Sequence, residues 1–191
     1  GNITKAVDNI SFEIAEGEYV GIMGASGSGK TTLLNLLATV DTVTSGHIWY
    51  GGDDITNMRE DQMADFRKNN LGFVFQDYNL LDTLTLKENI ALAMSLTKKG
   101  KREIEKRTKD IMERLDIWPI RDKFPYQVSG GQKQRCACAR ALINHPKIVF
   151  ADEPTGALDS KSSRMLLETF SYMNSTLGAT ILMVTHDAFS A

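Results

Sequence analysis

Cysteines, prolines and long apolar runs are scarce in this chain. Its 191 residues include only two cysteines and four prolines, and no window approaches the roughly 18 uninterrupted apolar residues that cross a bilayer. We therefore expect no direct membrane insertion. Cys136 and Cys138 have no partner at a metal-ligand spacing, so we expect both to be small core residues in a reducing compartment.

An excess of one charge is also absent. The chain has 22 Lys and Arg against 24 Asp and Glu, a net charge of -2, whereas a nucleic-acid binder needs a concentrated positive surface. The one basic run, at 98–102, is followed by Glu103 and Glu105, which indicates a solvated helix face of mixed charge. We expect no nucleic-acid partner. The first five residues lack the pattern of a secretion signal, which favours the cytoplasm.

Strand and helix patterns alternate along the chain, which predicts an α/β domain with a mainly parallel sheet. Strands are predicted at 18–23 (buried), 71–75, 147–151 and 180–184, and a short strand at 47–50 precedes a hairpin signal at Gly51-Gly52. Helices are predicted at 30–38, 131–143 and 160–177. A helical insertion is predicted at 86–116, with one face lined by Ile104, Thr108, Ile111, Met112 and Leu115.

The stretch GASGSGKT, residues 24–31, matches the phosphate-binding pattern G-x-x-x-x-G-K-[ST] between an apolar strand and a leucine-rich helix. Glycines let successive backbone N–H groups turn toward phosphates, and the helix start adds a positive dipole end. Lys30 would reach the outer phosphates and the Thr31 hydroxyl would meet Mg²⁺. A chance glycine turn before a helix is the alternative. The predicted nucleotide-binding residues are Gly24, Ala25, Ser26, Gly27, Ser28, Gly29, Lys30, Thr31 and Thr32.

The stretch IVFADE, residues 148–153, is an apolar strand that ends in two carboxylates. Asp152 can hold the water shell of Mg²⁺, and Glu153 could polarise a water in line with the γ-phosphate. The alternative is that Asp-Glu-Pro simply ends a strand and begins a turn.

A second glycine-rich helix start lies in VSGGQKQR, residues 128–135. Ser129 and the amides of Gly130 and Gly131 would form another helix N-terminus that faces anionic oxygens. A flexible helix cap explains the tripeptide alone equally well.

Six segments in one order resemble the ATP-binding-cassette family of ATPases over almost the whole chain. They are the glycine-rich loop at 24–31, Gln76 in FVFQD, SGGQ at 129–132, the Asp152-Glu153 strand end, ALD at 157–159 and His186 in VTHD. The resemblance implies a P-loop NTPase core of ABC ATPase type, with an antiparallel β region and an inserted α-helical subdomain at about 77–138. It also implies one nucleotide-binding domain over 1–191.

The resemblance further implies a head-to-tail dimer of two copies. In this dimer SGGQ of one copy caps the ATP held by the glycine-rich loop at 24–31, the P-loop, of the other. Glu153 would be the general base, His186 would bond the γ-phosphate and steady Glu153, and Gln76 would contact Mg²⁺ and the lytic water. Asp159 would cross the dimer interface. Ser129, Gly130, Gly131, Gln132 and Asp159 thus join the ATP site, and Thr31, Gln76 and Asp152 are the implied Mg²⁺ contacts.

Within the family, the chain is similar to ATPases paired with permeases for macrolide export, lipoprotein release and peptide resistance. LLDTLT after Gln76 and ATVD after the P-loop helix resemble the bacitracin-type resistance transporters. This implies an ATPase at the cytoplasmic face of the membrane that powers an integral membrane permease. The alternative is a switch, in which ATP-gated dimerisation regulates a membrane partner without transport.

Tyr78, Leu80, Leu81 and Leu84 are the apolar side chains of a stretch, residues 77–85, where a permease contact is expected. Packing against the chain's own helices explains them equally well.

Two departures from the family pattern stand out. Val128 replaces the usual leucine before Ser-Gly-Gly, and no aromatic residue precedes residues 6–7, where the family stacks adenine. We expect the adenine-stacking residue to lie outside this chain, which would be truncated at both ends.

Overall fold

A computed structural model describes residues 7, 10–25 and 27–186 of the chain. Its centre is a parallel sheet in the order β1 (Tyr19–Met23), β6 (Ile181–Thr185), β5 (Ile148–Asp152) and β4 (Leu71–Val74). A separate antiparallel hairpin joins β2 (Trp49–Tyr50) to β3 (Asp53–Asp54) through Gly51-Gly52. The α/β class, the parallel sheet and the antiparallel region are therefore confirmed.

Six α-helices accompany these strands in the described residues. They are α1 (Lys30–Leu37), α2 (Glu60–Asn70), α3 (Leu86–Ser95), α4 (Lys101–Arg114), α5 (Gly130–Leu142) and α6 (Ser160–Ser175). The predicted helical insertion is two helices, because the chain turns between Leu96, the C-cap of α3, and Gly100, the N-cap of α4. Thr108 and Met112 on the predicted apolar face of α4 are buried.

Sequence periodicity did not predict α2. This helix has no buried residue, so its sequence carries only a weak apolar stripe, which is the pattern that periodicity detects. Its ends do carry charge signals, with Glu60 and Asp61 in the first turn and Arg67 and Lys68 in the last.

Apolar side chains of the central strands fill two cores, one on each face of the sheet. Val149 and Ala151 of β5 face a large core with α3, α4, α5 and α6, whereas Ile148 and Phe150 face a smaller core with α1. This is the period of two that a strand buried on both faces requires. The strand β1 was predicted to be buried, but Gly21 and Met23 are exposed, because among the described strands β1 pairs with β6 alone.

The helix α5 lies deepest among the helices. Cys136 and Cys138 are both fully buried on it, although residues two apart on a helix point in different directions. Neighbours on several sides explain this, since α5 packs against α3, α4, α6 and β4. Burial raises the pKa of each thiol to about 12. Both cysteines are therefore inert core residues, as predicted.

Candidate functional site

The carboxyl ends of three neighbouring strands bring distant parts of the sequence together. The N–H of Gly24, after β1, donates to the Thr185 carbonyl of β6 at 3.3 Å, and the N–H of Glu153, after β5, donates to the Val184 carbonyl at 2.8 Å. Loops that follow parallel strands at a point like this form the usual ligand crevice of α/β sheets. The P-loop, the Asp152-Glu153 pair and His186 therefore share one edge of the sheet.

The P-loop has a backbone that its glycines make possible. Gly27 and Gly29 have φ angles of 81° and 93°, in the left-handed region that glycine adopts without strain. A Cβ on Gly24 would lie 2.8 Å from Ser28 Oγ, so a side chain there would fill the loop. Gly29 caps α1 with no side-chain hydrogen bond, which leaves the N–H groups of the first turn for a ligand. Ser26 lies outside the described residues.

Lys30 points into this loop. Its ammonium donates to the carbonyls of Gly24 at 2.5 Å and Ala25 at 3.0 Å, and Nζ lies 3.9 Å from Glu153 Oε1. The residue is only 8% exposed, so a positive charge is held inside the loop. Together with the helix start, this charge makes the loop suited to phosphate oxygens. Thr31 is exposed at the same helix start.

Asp152 ends β5 with a buried carboxylate oxygen. Its Oδ1 is buried without a hydrogen-bond partner in the described structure. Burial, and then the charge of Glu153, raise the pKa of Asp152, whereas Lys30 and a hydrogen bond with the Thr31 side chain act in the opposite direction. A buried, unpaired carboxylate oxygen beside a hydroxyl fits a hard cation such as Mg²⁺. Within the described ranges no group of three His, Cys, Asp or Glu converges, so such an ion would also need oxygen ligands of other kinds.

Glu153 and His186 form a direct pair. His186 Nδ1 lies 2.9 Å from Glu153 Oε2, and the His186 backbone N–H donates to the same oxygen at 3.3 Å. Burial raises the pKa of Glu153, but the hydrogen bonds with His186 outweigh it and leave that pKa below its usual value. Glu153 also has a φ of 46°, a conformation that is costly outside glycine and that often marks functional sites.

Gln76 approaches this site from β4. It lies in a turn closed by a hydrogen bond from the Tyr78 N–H to the Phe75 carbonyl at 3.1 Å. A Cβ on Gly156 would lie 3.0 Å from Gln76 Nε2, so the amide rests against the turn that follows Glu153. The structure thus places Gln76 on the Glu153 side of the site.

The SGGQ segment begins α5 and is capped by its own side chains. Ser129 Oγ accepts from the Gln132 N–H at 3.2 Å, and Gln132 Oε1 accepts from the Ser129 N–H at 2.9 Å. Gly130 is exposed, and a Cβ there would meet none of the described residues within 4 Å, whereas one on Gly131 would lie 2.5 Å from Met165 Cε of α6. The helix cap weighed as an alternative is therefore present, and Gly130 remains accessible.

Asp159 has a clear role in its own chain. Its Oδ1 accepts from the Ser162 N–H at 2.7 Å and caps α6. That bond chiefly holds the pKa of Asp159 below its usual value. The neighbouring α5 meets the same helix turn, because Gln134 Nε2 donates to the Ser162 carbonyl at 3.1 Å.

Of the four apolar side chains at 77–85, all but Leu81 are at least partly buried. Tyr78 is 8% exposed and Leu80 joins the large core, whereas Leu81 is 47% exposed. Sequence reasoning missed Arg140 of α5, whose guanidinium binds backbone carbonyls of this stretch. An arginine in an otherwise apolar part of a helix was the available signal.

In the part of the chain that the structure describes, no helix is both long enough and apolar enough to span a membrane. A family model described as ABC transporter matches residues 7–156. The bacitracin export ATP-binding protein BceA of Halalkalibacterium halodurans is 51% identical over 190 residues, which cover 100% of this chain and 75% of that protein. The macrolide export ATP-binding/permease protein MacB of Syntrophobacter fumaroxidans is 44% identical over 180 residues, 93% of this chain and 25% of that protein.

A solved structure is also similar. It is a dimeric, post-hydrolysis state of the ATP-binding cassette MJ0796 of Methanocaldococcus jannaschii, bound to ADP and Pi. The TM-score is 0.79 at 37% sequence identity, with 97% of this chain and 82% of that chain covered. The P-loop, the carboxylates beside it and these similarities agree: the chain belongs to the ABC transporter family as an ATP-binding subunit that hydrolyses ATP.

Proposed function

We propose that this ATPase powers an integral membrane permease that confers resistance to bacitracin-like antimicrobial peptides, and that it works at the cytoplasmic face of the membrane. The observation that carries the ATPase part is the convergence of Lys30, Asp152 and the Glu153–His186 pair at one sheet edge. The peptide part is supported by the 51% identity to BceA along the whole chain.

In this mechanism the P-loop, residues 24–31, binds the phosphates of ATP through backbone N–H groups, and Lys30 neutralises the outer phosphates. Thr31 and Asp152 would hold Mg²⁺, which supplies charge neutralisation on the phosphate oxygens, and Gln76 would complete the contacts from the Glu153 side. These residues bind and orient the substrate.

Glu153 is proposed as the general base that accepts a proton from the attacking water, and His186 as the residue that orients it. The carboxylate of Glu153 can accept this proton, and its hydrogen bonds with His186 fix the orientation of that carboxylate. The left-handed backbone at Glu153 aims the carboxylate out of the strand and toward Lys30 and His186.

The second copy completes the ATP site. Ser129, Gly130, Gly131 and Gln132 of one copy would cap the nucleotide on the P-loop of the other, with Asp159 near the interface. Exposure of Gly130 supports this, because an open helix start can approach phosphate closely. The dimeric state of MJ0796 is the precedent. We further propose that residues 77–138 act as the helical subdomain that receives the permease, with Leu81 exposed toward it.

The hydrolysis mechanism is tested by Glu153→Gln in the full-length protein together with its permease in lipid vesicles. Turnover should fall at least about 100-fold, because the general base is lost, while ATP binding persists and ATP-bound dimers accumulate. Glu113→Gln, on the exposed face of α4, is the matched control and should hydrolyse ATP normally. Equal rates for the two variants would remove Glu153 from this role.

The cargo is tested in cells that lack their own peptide transporter and express the ATPase with its permease. We expect raised resistance to bacitracin and unchanged resistance to a macrolide. In cells that express Glu153→Gln, resistance to each compound should equal that of cells without the transporter. Resistance that survives Glu153→Gln would favour the switch over transport. Resistance to the macrolide alone would contradict the peptide assignment.

A further inference from the structure

The turn that carries Gln76 continues into two residues with an unusual backbone. Tyr78 and Asn79 have φ angles of 63° and 50°, so both are left-handed although neither is glycine. This conformation is costly for a tyrosine and persists only where surrounding contacts enforce it. The contacts must therefore come from elsewhere in the fold.

One side chain supplies two of these contacts. Arg140 of α5 donates from Nη2 to the Tyr78 carbonyl at 2.5 Å and from Nη1 to the Asn79 carbonyl at 2.7 Å. A guanidinium is a planar fork that can hold two acceptors in one orientation, which an ammonium cannot. Arg140 is half-buried, so these two carbonyls also stabilise a charge that is partly removed from water.

A second side chain, which is buried, holds the rest of the loop. Asn89 of α3, only 2% exposed, accepts from the Leu81 N–H at 2.8 Å and donates to the Leu81 carbonyl at 3.1 Å and the Thr85 carbonyl at 2.9 Å. The loop after Gln76 is thus attached to α5 at its beginning and to α3 at its end.

Arg140 connects two parts of the proposed ATP site. It holds Tyr78, whose own N–H closes the Gln76 turn, and it lies on the helix that Ser129 caps. About 16 Å of continuous helix separates Arg140 from Ser129, at 1.5 Å per residue. The connection from the Gln76 turn to the SGGQ end of α5 therefore consists of hydrogen bonds and one continuous helix.

We propose that Arg140 is a positioning residue that ties the turn carrying Gln76 to the SGGQ helix, so that both move as one unit during ATP hydrolysis. This inference rests on the role proposed above for Gln76.

The test uses the full-length protein with its permease in vesicles and measures kcat and KM for ATP. Arg140→Gln should lower kcat about tenfold and change KM less than about twofold, because the P-loop is untouched. Arg140→Lys, which keeps the charge but loses the fork, should fall between that variant and wild type. Arg114→Gln, at an exposed ion pair on α4, is the control and should match wild type.

The variant Asn79→Gly distinguishes a positioning role of Arg140 from a purely structural role. Asn79→Gly alone should leave kcat within about twofold of wild type, and in the Arg140→Gln background it should restore kcat about threefold, because glycine adopts positive φ without the clamp. Failure of this rescue, or an Arg140→Gln rate equal to that of Arg114→Gln, would overturn the proposal.

If Arg140→Gln does not fold, Asn79→Val with Arg140 retained provides the second arm. A β-branched residue resists positive φ, so kcat should fall several-fold, and equal rates for Asn79→Val and Asn79→Gly would also overturn the proposal. Gln76→Ala is measured in parallel. If it hydrolyses ATP normally, the role proposed for Gln76 fails; if it is slow while Arg140→Gln is normal, only the inference about Arg140 fails.

Discussion

The chain has two glycine-rich helix starts, and they differ in how far its own residues complete them. The start of α1 is enclosed: Gly29 leaves the first turn uncapped by any side chain, Lys30 is 8% exposed, and Glu153 Oε1 lies 3.9 Å from its ammonium. The start of α5 is capped by Ser129 and open to solvent at Gly130.

This difference shows what an anion site needs beyond a helix dipole. The Ser129 hydroxyl accepts a hydrogen bond from the N–H of Gln132. The N–H groups of Gly130 and Gly131 come earlier in α5, and the first N–H groups of a helix have no acceptor within that helix. The α5 start therefore offers donors at Gly130 and Gly131, whereas the P-loop adds the enclosed ammonium of Lys30 and the nearby carboxylate of Glu153. The α5 start becomes a complete site only against a second molecule, as in the proposed dimer.

Paired alanine substitutions should separate the two starts most clearly. Gly24→Ala places a Cβ 2.8 Å from Ser28 Oγ and should abolish ATP binding by a single copy. Gly130→Ala meets nothing within 4 Å among the described residues of its own chain, so folding and ATP binding should be unchanged. ATP-driven dimerisation and turnover should nevertheless fall about tenfold or more, because a methyl group blocks close approach of phosphate to the backbone.

Nucleotide titration, light scattering and steady-state ATPase rates measure these effects. If Gly130→Ala turned over at the wild-type rate, the α5 start would not belong to the ATP site.

Gly131 should show a smaller effect with a different cause. A Cβ there would lie 2.5 Å from Met165 Cε, the flexible end of a side chain on α6. Gly131→Ala should slow turnover several-fold by displacing the start of α5, and the second change Met165→Ala should recover part of that loss. Met165→Ala alone is the control. Without recovery, the methyl group at 131 would be acting on the partner's nucleotide instead.

The smallest expected effect concerns the cap itself. Ser129→Ala removes the acceptor for the Gln132 N–H and should lower the free energy of unfolding by about 1 kcal/mol, measured by urea denaturation. Ser129→Gly should cost only a few tenths of 1 kcal/mol, because glycine also suits an N-cap. A Ser129→Ala protein as stable as wild type would mean that the cap bonds contribute nothing net to folding.

Local signals made the P-loop, the Asp152-Glu153 strand end and most strands predictable. Each lies within one short segment whose spacing already contains its geometry, as the glycines and Lys30 of the P-loop do. The helix α2 was not predicted because it buries no residue. The edge position of β1 in the described sheet was not predicted because a strand's own residues do not determine the order of strands.

Within the site, Glu153 and His186 were predicted as partners from a family resemblance, and the contact between them joins residues 33 apart. The clamp by Arg140 joins residues 62 apart, and an arginine in an otherwise apolar part of a helix does not show which residues it will contact. Such contacts depend on how α5 packs against the loop after β4, so no window of sequence contains them.

The sequence by itself determined the class of the fold, the phosphate loop, and the residue types available for hydrolysis, because these follow from backbone conformation and chemistry over a few consecutive residues. Only the tertiary structure decided which strands lie at the edges of the described sheet, that Asp152 has a buried oxygen with no partner among the described residues, and that Arg140 holds the loop after Gln76. Those properties arise when sheet order and helix packing bring distant residues within hydrogen-bond distance or remove them from water.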